Sequence, residues 1–247
     1  MAHFVLVGGT WLGPWVWHTV GGRLAAAGHR ISTPTLTGLA ERRHEVTPST
    51  GLEDHVADVV AAIEWADTPV VLVGHSYAGI VVTAAADREP DRVAQLVLID
   101  AAVARAGRSL FDDAPPPFRA AVEAGVAAYD GLRWPMPPPD VLDQFLPTPD
   151  MSEADRAWLR SHAVAHPVRT FRDPVALGGA VERIPTTFVA CVLPGSEASS
   201  SALGVPPDWL VRTVRTGHWP MVTAPDALAG ILAEVAERAA QPMAMTR

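Results

Sequence analysis

Short apolar runs alternate with segments of helical periodicity over residues 1–100 of the chain and again after residue 183. The runs are rich in valine, leucine and isoleucine and lack polar alternation, which is typical of strands buried on both faces. Strands separated by helices pair in parallel, because a parallel connection has to cross the sheet. The pattern therefore predicts an α/β fold with a mostly parallel sheet and helices on both faces. The predicted strands are residues 4–7, 31–33, 70–73, 93–99, 187–193 and 209–214, and the predicted helices are residues 15–27, 54–65, 77–86 and 225–239.

The alternation stops near Asp100, and residues 101–183 carry no strand pattern. Prolines cluster in this segment between two stretches of helical character, residues 118–128 and 153–162. A disordered insertion would leave four large aromatic side chains without burial, so we expect a folded helical lid instead. These side chains are Trp134, Phe145, Trp158 and Phe171. We divide the chain into a core domain, residues 1–100 and 184–247, and an inserted helical lid, residues 101–183, which is called the cap below.

Composition and charge exclude several classes of function. The net charge is −8 and the basic residues are scattered, so nothing favours nucleic acid or an anionic membrane as a partner. The chain has no lysine, which excludes Schiff-base chemistry. Its one cysteine, Cys191, lies in an apolar run, so we expect a buried, unreactive thiol and a reducing compartment. No apolar stretch reaches the roughly 18 residues of a membrane span, and the N-terminal run is too short for a signal peptide. We therefore expect a soluble, cytoplasmic protein.

A serine lies in a tight turn between a predicted strand and a predicted helix. Residues 70–79 read VVLVGHSYAG, with Ser76 in the turn. A strand–turn–helix of this kind is a nucleophile elbow, in which a strained turn exposes the serine hydroxyl and small residues flank it. Ala78 stands where a second glycine is usual, but alanine is also small. The segment predicts Ser76 as a catalytic nucleophile.

The general base is expected late in the chain. A serine hydroxyl is a weak nucleophile until a base removes its proton. His218 lies in the segment TGHWPM, residues 216–221, after the last predicted strand and directly before the terminal helix. His75 adjoins the serine, but we expect its side chain to point away and to have a structural role. The remaining histidines lack this placement and are interpreted as surface or core residues: His3, His18, His29, His44, His55, His162 and His166.

Two backbone amides are predicted to form an oxyanion hole, which stabilises the negative charge that develops during acyl transfer. One is the amide of Tyr77, the residue after the nucleophile. The other is the amide of Thr10, because Gly8-Gly9-Thr10 follows the first strand and lets the backbone approach a substrate. Three tryptophans are candidates for an apolar substrate pocket beneath the cap. They are Trp11, Trp134 and Trp219.

Three segments of the chain resemble the plant methylesterase and hydroxynitrile lyase family of α/β hydrolases, and they resemble bacterial α/β-hydrolase esterases more closely still. They are residues 6–17, LVGGTWLGPWVW, the serine turn, and residues 217–221, GHWPM. The likeness covers the core domain, whereas the cap matches only in length and helical character. It implies the α/β-hydrolase fold and leaves the substrate open. Gly9 stands where hydroxynitrile lyases carry a threonine, and the lysine that follows their base is absent, which argues against cyanohydrin cleavage.

The resemblance leaves the acid of a serine–histidine–acid triad open between two residues. In most relatives the acid follows the strand that is predicted here at residues 187–193, and Glu197 is the carboxylate available in that loop. Asp100 ends the strand predicted at residues 93–99, which is an alternative position that some α/β hydrolases use. We favour Asp100, because geometry and not order along the chain decides the role.

Together these residues predict a serine hydrolase that cleaves a small or medium hydrophobic carboxylic ester, lactone or thioester through an acyl-enzyme. The expected partner is a small ester-like molecule, a homodimer is possible, and neither a metal nor an organic cofactor is implied. One alternative is a natural-product biosynthetic hydrolase or lyase that uses the same residues on a carbon–carbon or lactone bond. A second alternative is a non-catalytic ligand-binding homologue, because a fold does not determine a function.

Overall fold

The computed structural model describes residues 1–193, 195–196 and 204–239, and within these ranges six strands form one parallel sheet. Two further strands within the same ranges pair only with each other. In chain order the strands are β1 (His3–Val7), β2 (Arg30–Ser32), β3 (Val70–His75), β4 (Val93–Ile99), β5 (Arg133–Trp134), β6 (His166–Pro167), β7 (Thr186–Cys191) and β8 (Leu210–Val214). The large sheet has the order β2-β1-β3-β4-β7-β8, and all of its neighbouring strands pair in parallel. The α/β fold that the apolar runs predicted is confirmed.

The sheet is covered on both faces, as the burial of every residue of β1, β3 and β7 shows. Successive side chains of a strand point to opposite faces, so a strand without an exposed residue needs helices on each side. Helix α1 packs against α10, and α2 packs against α3. The helices are α1 (His18–Ala26), α2 (Leu52–Glu64), α3 (Ala78–Arg88), α4 (Leu110–Asp113), α5 (Pro116–Tyr129), α6 (Pro139–Leu142), α7 (Glu153–His162), α8 (Arg169–Arg172), α9 (Pro220–Thr223) and α10 (Pro225–Ala239). Short 3₁₀ helices occupy Pro14–Trp17, Ala40–Glu45, Pro90–Arg92 and Ala180–Arg183.

Helices α4 to α8 lie in the segment between β4 and β7 that the sequence assigned to the cap. The prediction that this segment contains no strand is wrong in one detail, since β5 and β6 form a short antiparallel ladder. Two-residue strands are too short for any periodicity, and Pro167 in the ladder further conceals them from sequence inspection. The division of the chain at residues 101 and 183 stays a prediction.

The aromatic residues that argued for a folded cap differ in burial. Trp134 and Phe171 are fully buried, and Phe145 is half-buried against Phe118. Trp158 is 38% exposed and packs edge-on against Trp15 of the core. Trp134 and Phe171 are therefore buried as expected of a folded cap, whereas Trp158 is not.

Four chain segments meet beyond the carboxyl ends of the central strands. Thr10 follows β1, Ser76 follows β3, Asp100 follows β4, and His218 follows β8. In an open parallel sheet the carboxyl edge is the usual place for a ligand or an active site. The fold thus brings together Ser76 and His218, which are 142 positions apart in the chain.

Candidate active site

Ser76 occupies a sharp turn between β3 and α3. Its φ angle is +55°, in the left-handed region that residues other than glycine seldom adopt. Backbone hydrogen bonds fix the turn: the Ser76 amide donates to the carbonyl of Ile99, at the end of β4, at 3.1 Å. The Ser76 carbonyl in turn accepts from the amides of Gly79 and Ala102, each at 3.1 Å. This bonding keeps the strained serine in place at the edge of the sheet.

The His218 imidazole bridges Ser76 and Asp100. Its Nε2 lies 2.9 Å from the Ser76 hydroxyl, and its Nδ1 lies 2.6 Å from Asp100 Oδ2. Because a carboxylate can only accept, Nδ1 carries a proton, and Nε2 is then free to accept the proton of the serine hydroxyl. The His218 and Asp100 side chains are 9% and 13% exposed, so the pair is shielded from water.

The structure therefore places the favoured acid, Asp100, beside the predicted base. Asp100 also has a positive φ angle, +43°, where the chain turns at the end of β4. The alternative acid, Glu197, lies outside the described residues.

His75 contacts the backbone of His218. Its Nε2 donates to the His218 carbonyl at 2.7 Å, and the two rings lie 4.7 Å apart. Burial and the neighbouring His218 lower the pKa of His75 to about 3, so the ring is neutral at physiological pH. The ring was expected to be structural, and its hydrogen bond goes to the backbone of His218 rather than to Ser76.

The amides of Thr10 and Tyr77 are available at the site. In the described part of the chain neither amide donates to a backbone carbonyl, and both residues line the cavity beside Ser76. The Tyr77 side chain is anchored elsewhere, because its buried hydroxyl donates to His55 Nδ1 at 2.9 Å. His55 Nε2 donates to the Thr37 carbonyl at 2.8 Å, which fixes this direction. Burial raises the pKa of the Tyr77 hydroxyl and lowers that of His55, so both stay neutral.

The cavity next to Ser76 is small and largely apolar, with a volume of about 120 Å³. The three tryptophans predicted for a pocket, Trp11, Trp134 and Trp219, all line it. Its other apolar walls are Ala102, Leu110, Phe118 and Leu146. No aspartate, glutamate or arginine of the described residues lines this cavity, which favours an uncharged ligand.

Trp11 joins the loop after β1 to the cap. Its indole Nε1 donates to the Trp134 carbonyl at 2.9 Å, and its own carbonyl accepts from the Val164 amide at 3.1 Å. The φ angle of Trp11 is +67°, which is rare for so bulky a residue. The sequence pointed to Trp11 as a pocket wall and did not reveal this link to the cap.

A cap carboxylate also contacts the loop that carries His218. Asp150 Oδ2 accepts hydrogen bonds from the Gly217 amide at 2.7 Å and from the Thr216 hydroxyl at 2.8 Å. No sequence motif marks Asp150, which lies in a proline-rich stretch.

The described residues contain no group of three or more histidine, cysteine, aspartate or glutamate side chains that could hold a metal ion. Among the helices of the described ranges, none combines the length and apolar character needed to cross a membrane. Cys191 is buried as expected, and burial raises the pKa of its thiol.

Comparison with known proteins places this geometry in a family. The model of the alpha/beta hydrolase family matches residues 4–231. A carbendazim hydrolyzing esterase from Nocardioides sp. (strain SG-4G) is 35% identical, over 94% of this chain and 99% of the relative. Methylesterase 8 of Arabidopsis thaliana is 34% identical over 39% of this chain and 36% of the relative.

Solved structures share the fold. An extracellular alpha/beta-hydrolase from a Paenibacillus species superimposes with a TM-score of 0.81 at 21% identity, covering 95% of this chain and 98% of that one. A methylesterase from Arabidopsis superimposes with a TM-score of 0.74 at 17% identity, covering 96% of this chain and 100% of that one. The family resemblance seen in the sequence is thereby confirmed, and this chain belongs to the alpha/beta hydrolase family.

Proposed function

We propose that this protein hydrolyses small to medium, uncharged hydrophobic carboxylic esters through an acyl-enzyme on Ser76. The observation that carries the proposal is the relay of two hydrogen bonds, from the Ser76 hydroxyl to His218 at 2.9 Å and from His218 to Asp100 at 2.6 Å. The esterase named among the relatives, which aligns over almost its whole length, supports ester hydrolysis.

In the proposed acylation step, the Ser76 oxygen attacks the ester carbonyl while His218 Nε2 takes the hydroxyl proton. Asp100 orients the imidazole and stabilises the imidazolium that forms. The amides of Thr10 and Tyr77 donate to the oxygen that becomes negative in the tetrahedral intermediate. The imidazolium then returns its proton to the departing alkoxide, and the alcohol leaves.

Deacylation repeats these steps with water. His218 removes a proton from the water, which attacks the acyl-serine, and Ser76 recovers its proton as the carboxylic acid leaves. The buried position of His218 and Asp100 strengthens their interaction, because the local dielectric constant is low.

The cavity supports a small, apolar acyl or alkoxy group. Its volume of about 120 Å³ and its tryptophan walls suit short apolar substituents better than long ones. Cyanohydrin cleavage has little support, because a Cβ atom on Gly9 would lie 2.8 Å from both the His75 carbonyl and Ser76 Cβ. A threonine, which hydroxynitrile lyases carry there, does not fit this backbone.

The test is hydrolysis of p-nitrophenyl acetate and butyrate by the wild type and by Ser76→Ala, together with labelling by a phosphonate ester probe. We expect turnover that falls by about 10⁴-fold or more in Ser76→Ala. Labelling of Ser76 without turnover would favour the biosynthetic hydrolase or lyase. The absence of both would favour the non-catalytic alternative, and turnover that survives Ser76→Ala would contradict the mechanism.

A further inference from the structure

The loop before His218 is anchored at three points by different parts of the molecule. The Thr216 amide donates to the Val192 carbonyl at 3.1 Å, just beyond β7. The His218 carbonyl accepts from His75 at 2.7 Å. Between these points lies Gly217, whose amide donates to Asp150 of the cap. Because glycine has more backbone freedom than other residues, this middle point is where the loop most needs an external bond.

The Asp150 carboxylate is well suited to hold this point. One carboxylate oxygen, Oδ2, accepts both the hydrogen bond from the Gly217 amide and the one from the Thr216 hydroxyl. Hydrogen bonds to an ionised oxygen are about twice as strong as those between neutral groups. Burial by itself would raise the pKa of Asp150, but the Gly217 amide and the Thr216 hydroxyl bring it below its ordinary value. The carboxylate is therefore ionised at neutral pH.

The fit between Asp150 and the loop is close. A Cβ atom on Gly217 would lie 2.5 Å from Asp150 Oδ1, a distance that real Cβ atoms do not show. The backbone at residue 217 therefore approaches the carboxylate as only glycine allows. Any displacement of Asp150 would change the path of the backbone one residue before the imidazole that reaches Ser76.

We propose that Asp150 is a positioning residue of the active site, which holds residues 216–218 so that the His218 imidazole stays between Ser76 and Asp100. The inference rests on the proposed function, because it assigns Asp150 to the same reaction. Asp150 bonds the loop and none of the reacting atoms, so it acts through His218. The cap is on this account part of the catalytic arrangement as well as a wall of the pocket.

The test compares Asp150→Ala with a matched control, Asp155→Ala. Asp155 lies in the same segment, and its Oδ2 accepts from the hydroxyl and the amide of Ser152, at 2.6 and 3.2 Å, at the start of α7. The measurements are kcat and KM for p-nitrophenyl butyrate, the rate at which a phosphonate ester labels Ser76, and the thermal midpoint.

In Asp150→Ala we expect kcat and the labelling rate to fall on the order of 10²-fold, because a small misplacement of a catalytic group has that effect. KM should change by less than about threefold, since the pocket walls remain. Asp150→Asn should recover kcat to within about tenfold of the wild type, because its amide oxygen still accepts hydrogen bonds. Asp155→Ala should keep kcat within about twofold of the wild type.

Gly217→Ala provides a second test that does not depend on Asp150→Ala folding. Its methyl group would displace the carboxylate, so kcat should fall in the wild-type background and fall less when combined with Asp150→Ala, which removes the atoms that the methyl group meets. Wild-type kcat in Asp150→Ala, or losses in Asp150→Ala and Asp155→Ala that are equal and follow the thermal midpoint, would overturn the inference. An unchanged kcat in Gly217→Ala, or equal losses from this substitution in the wild-type and Asp150→Ala backgrounds, would do the same. If the wild type neither hydrolyses esters nor is labelled at Ser76, the proposed function itself fails.

Discussion

Asp100 and His218 meet although they follow strands that are not neighbours in the sheet. Asp100 follows β4, which pairs directly with β3, the strand that Ser76 follows, whereas His218 follows β8 at the edge of the sheet. Their atoms Oδ2 and Nδ1 are 2.6 Å apart. The acid and the nucleophile thus come from adjacent strands, and the base reaches them from beyond β7.

This relationship predicts a difference between the two candidate acids. Asp100→Asn should lower kcat by about 10⁴-fold, as the same exchange does in serine proteases, because an amide cannot hold the imidazole in the required tautomer. Glu197→Gln should leave kcat within about twofold of the wild type. Steady-state hydrolysis of p-nitrophenyl butyrate measures both, and the opposite ranking would assign the acid to Glu197.

The hydrogen bond from Trp11 to the Trp134 carbonyl predicts a loss of stability on removal of its donor. Trp11→Phe keeps an aromatic ring but removes this buried hydrogen bond, so the free energy of unfolding should decrease by about 0.5–1.5 kcal/mol. Trp65→Phe is the control, because Trp65 is 86% exposed, and it should change the value by less than about 0.5 kcal/mol. Urea denaturation compares the two variants, and equal effects would argue against the role given to this bond.

The close approach of Gly9 to Ser76 predicts that a side chain at residue 9 lowers the activity. Gly9→Ala would place a methyl group 2.8 Å from Ser76 Cβ, so the turn must shift, and kcat should fall on the order of 10²-fold. Gly22→Ala in α1 is the control, since a Cβ there meets no atom within 4 Å. That variant should keep its activity and gain roughly 0.5–1 kcal/mol of stability. Wild-type activity in Gly9→Ala would show that the turn adapts.

The buried histidines predict that the protein loses stability on acidification. Burial lowers the pKa of His55, His75 and His166, that of His75 to about 3, whereas an unfolded histidine titrates near pH 6.5. Between these values the unfolded chain binds more protons than the folded one, so the free energy of unfolding rises with pH. The stabilisation is complete above about pH 6.5 and is lost as the pH falls, at up to roughly 1.4 kcal/mol per pH unit for each histidine.

Urea midpoints between pH 7.5 and 5 measure this dependence. His166→Gln should reduce the slope below pH 6.5, because it removes a buried imidazole whose pKa is lowered. His44→Gln should leave the slope unchanged, because the His44 side chain is 76% exposed. A midpoint that stays constant from pH 7 to 5 in the wild type would contradict the prediction.

Much of the fold could be predicted because the buried strands of its sheet are largely apolar runs. The predicted bounds of 93–99 match β4 in full, and the other sheet strands differ by at most two residues at either end. Periodicity also located α7, at residues 153–162. The ladder of β5 and β6 escaped detection because its strands have two residues each, and pairing over so short a length depends on tertiary contacts.

For the candidate site, the predictable residues were those in motifs with a fixed relation to strand ends. Ser76, His218 and the amides of Thr10 and Tyr77 all follow such ends. The sequence could only favour Asp100 over Glu197, because the decision depends on a distance in space. Asp150 could not be found at all, because its role comes from hydrogen bonds with Thr216 and Gly217, which lie 66 and 67 residues further along the chain.

The most direct test of the central claim is to identify the residue that a phosphonate ester modifies, by peptide mapping and mass spectrometry alongside the remaining esterase activity. We expect one adduct, on Ser76, and activity that decreases in proportion to its formation. An adduct on another residue, or ester hydrolysis that continues when Ser76 is fully modified, would contradict it.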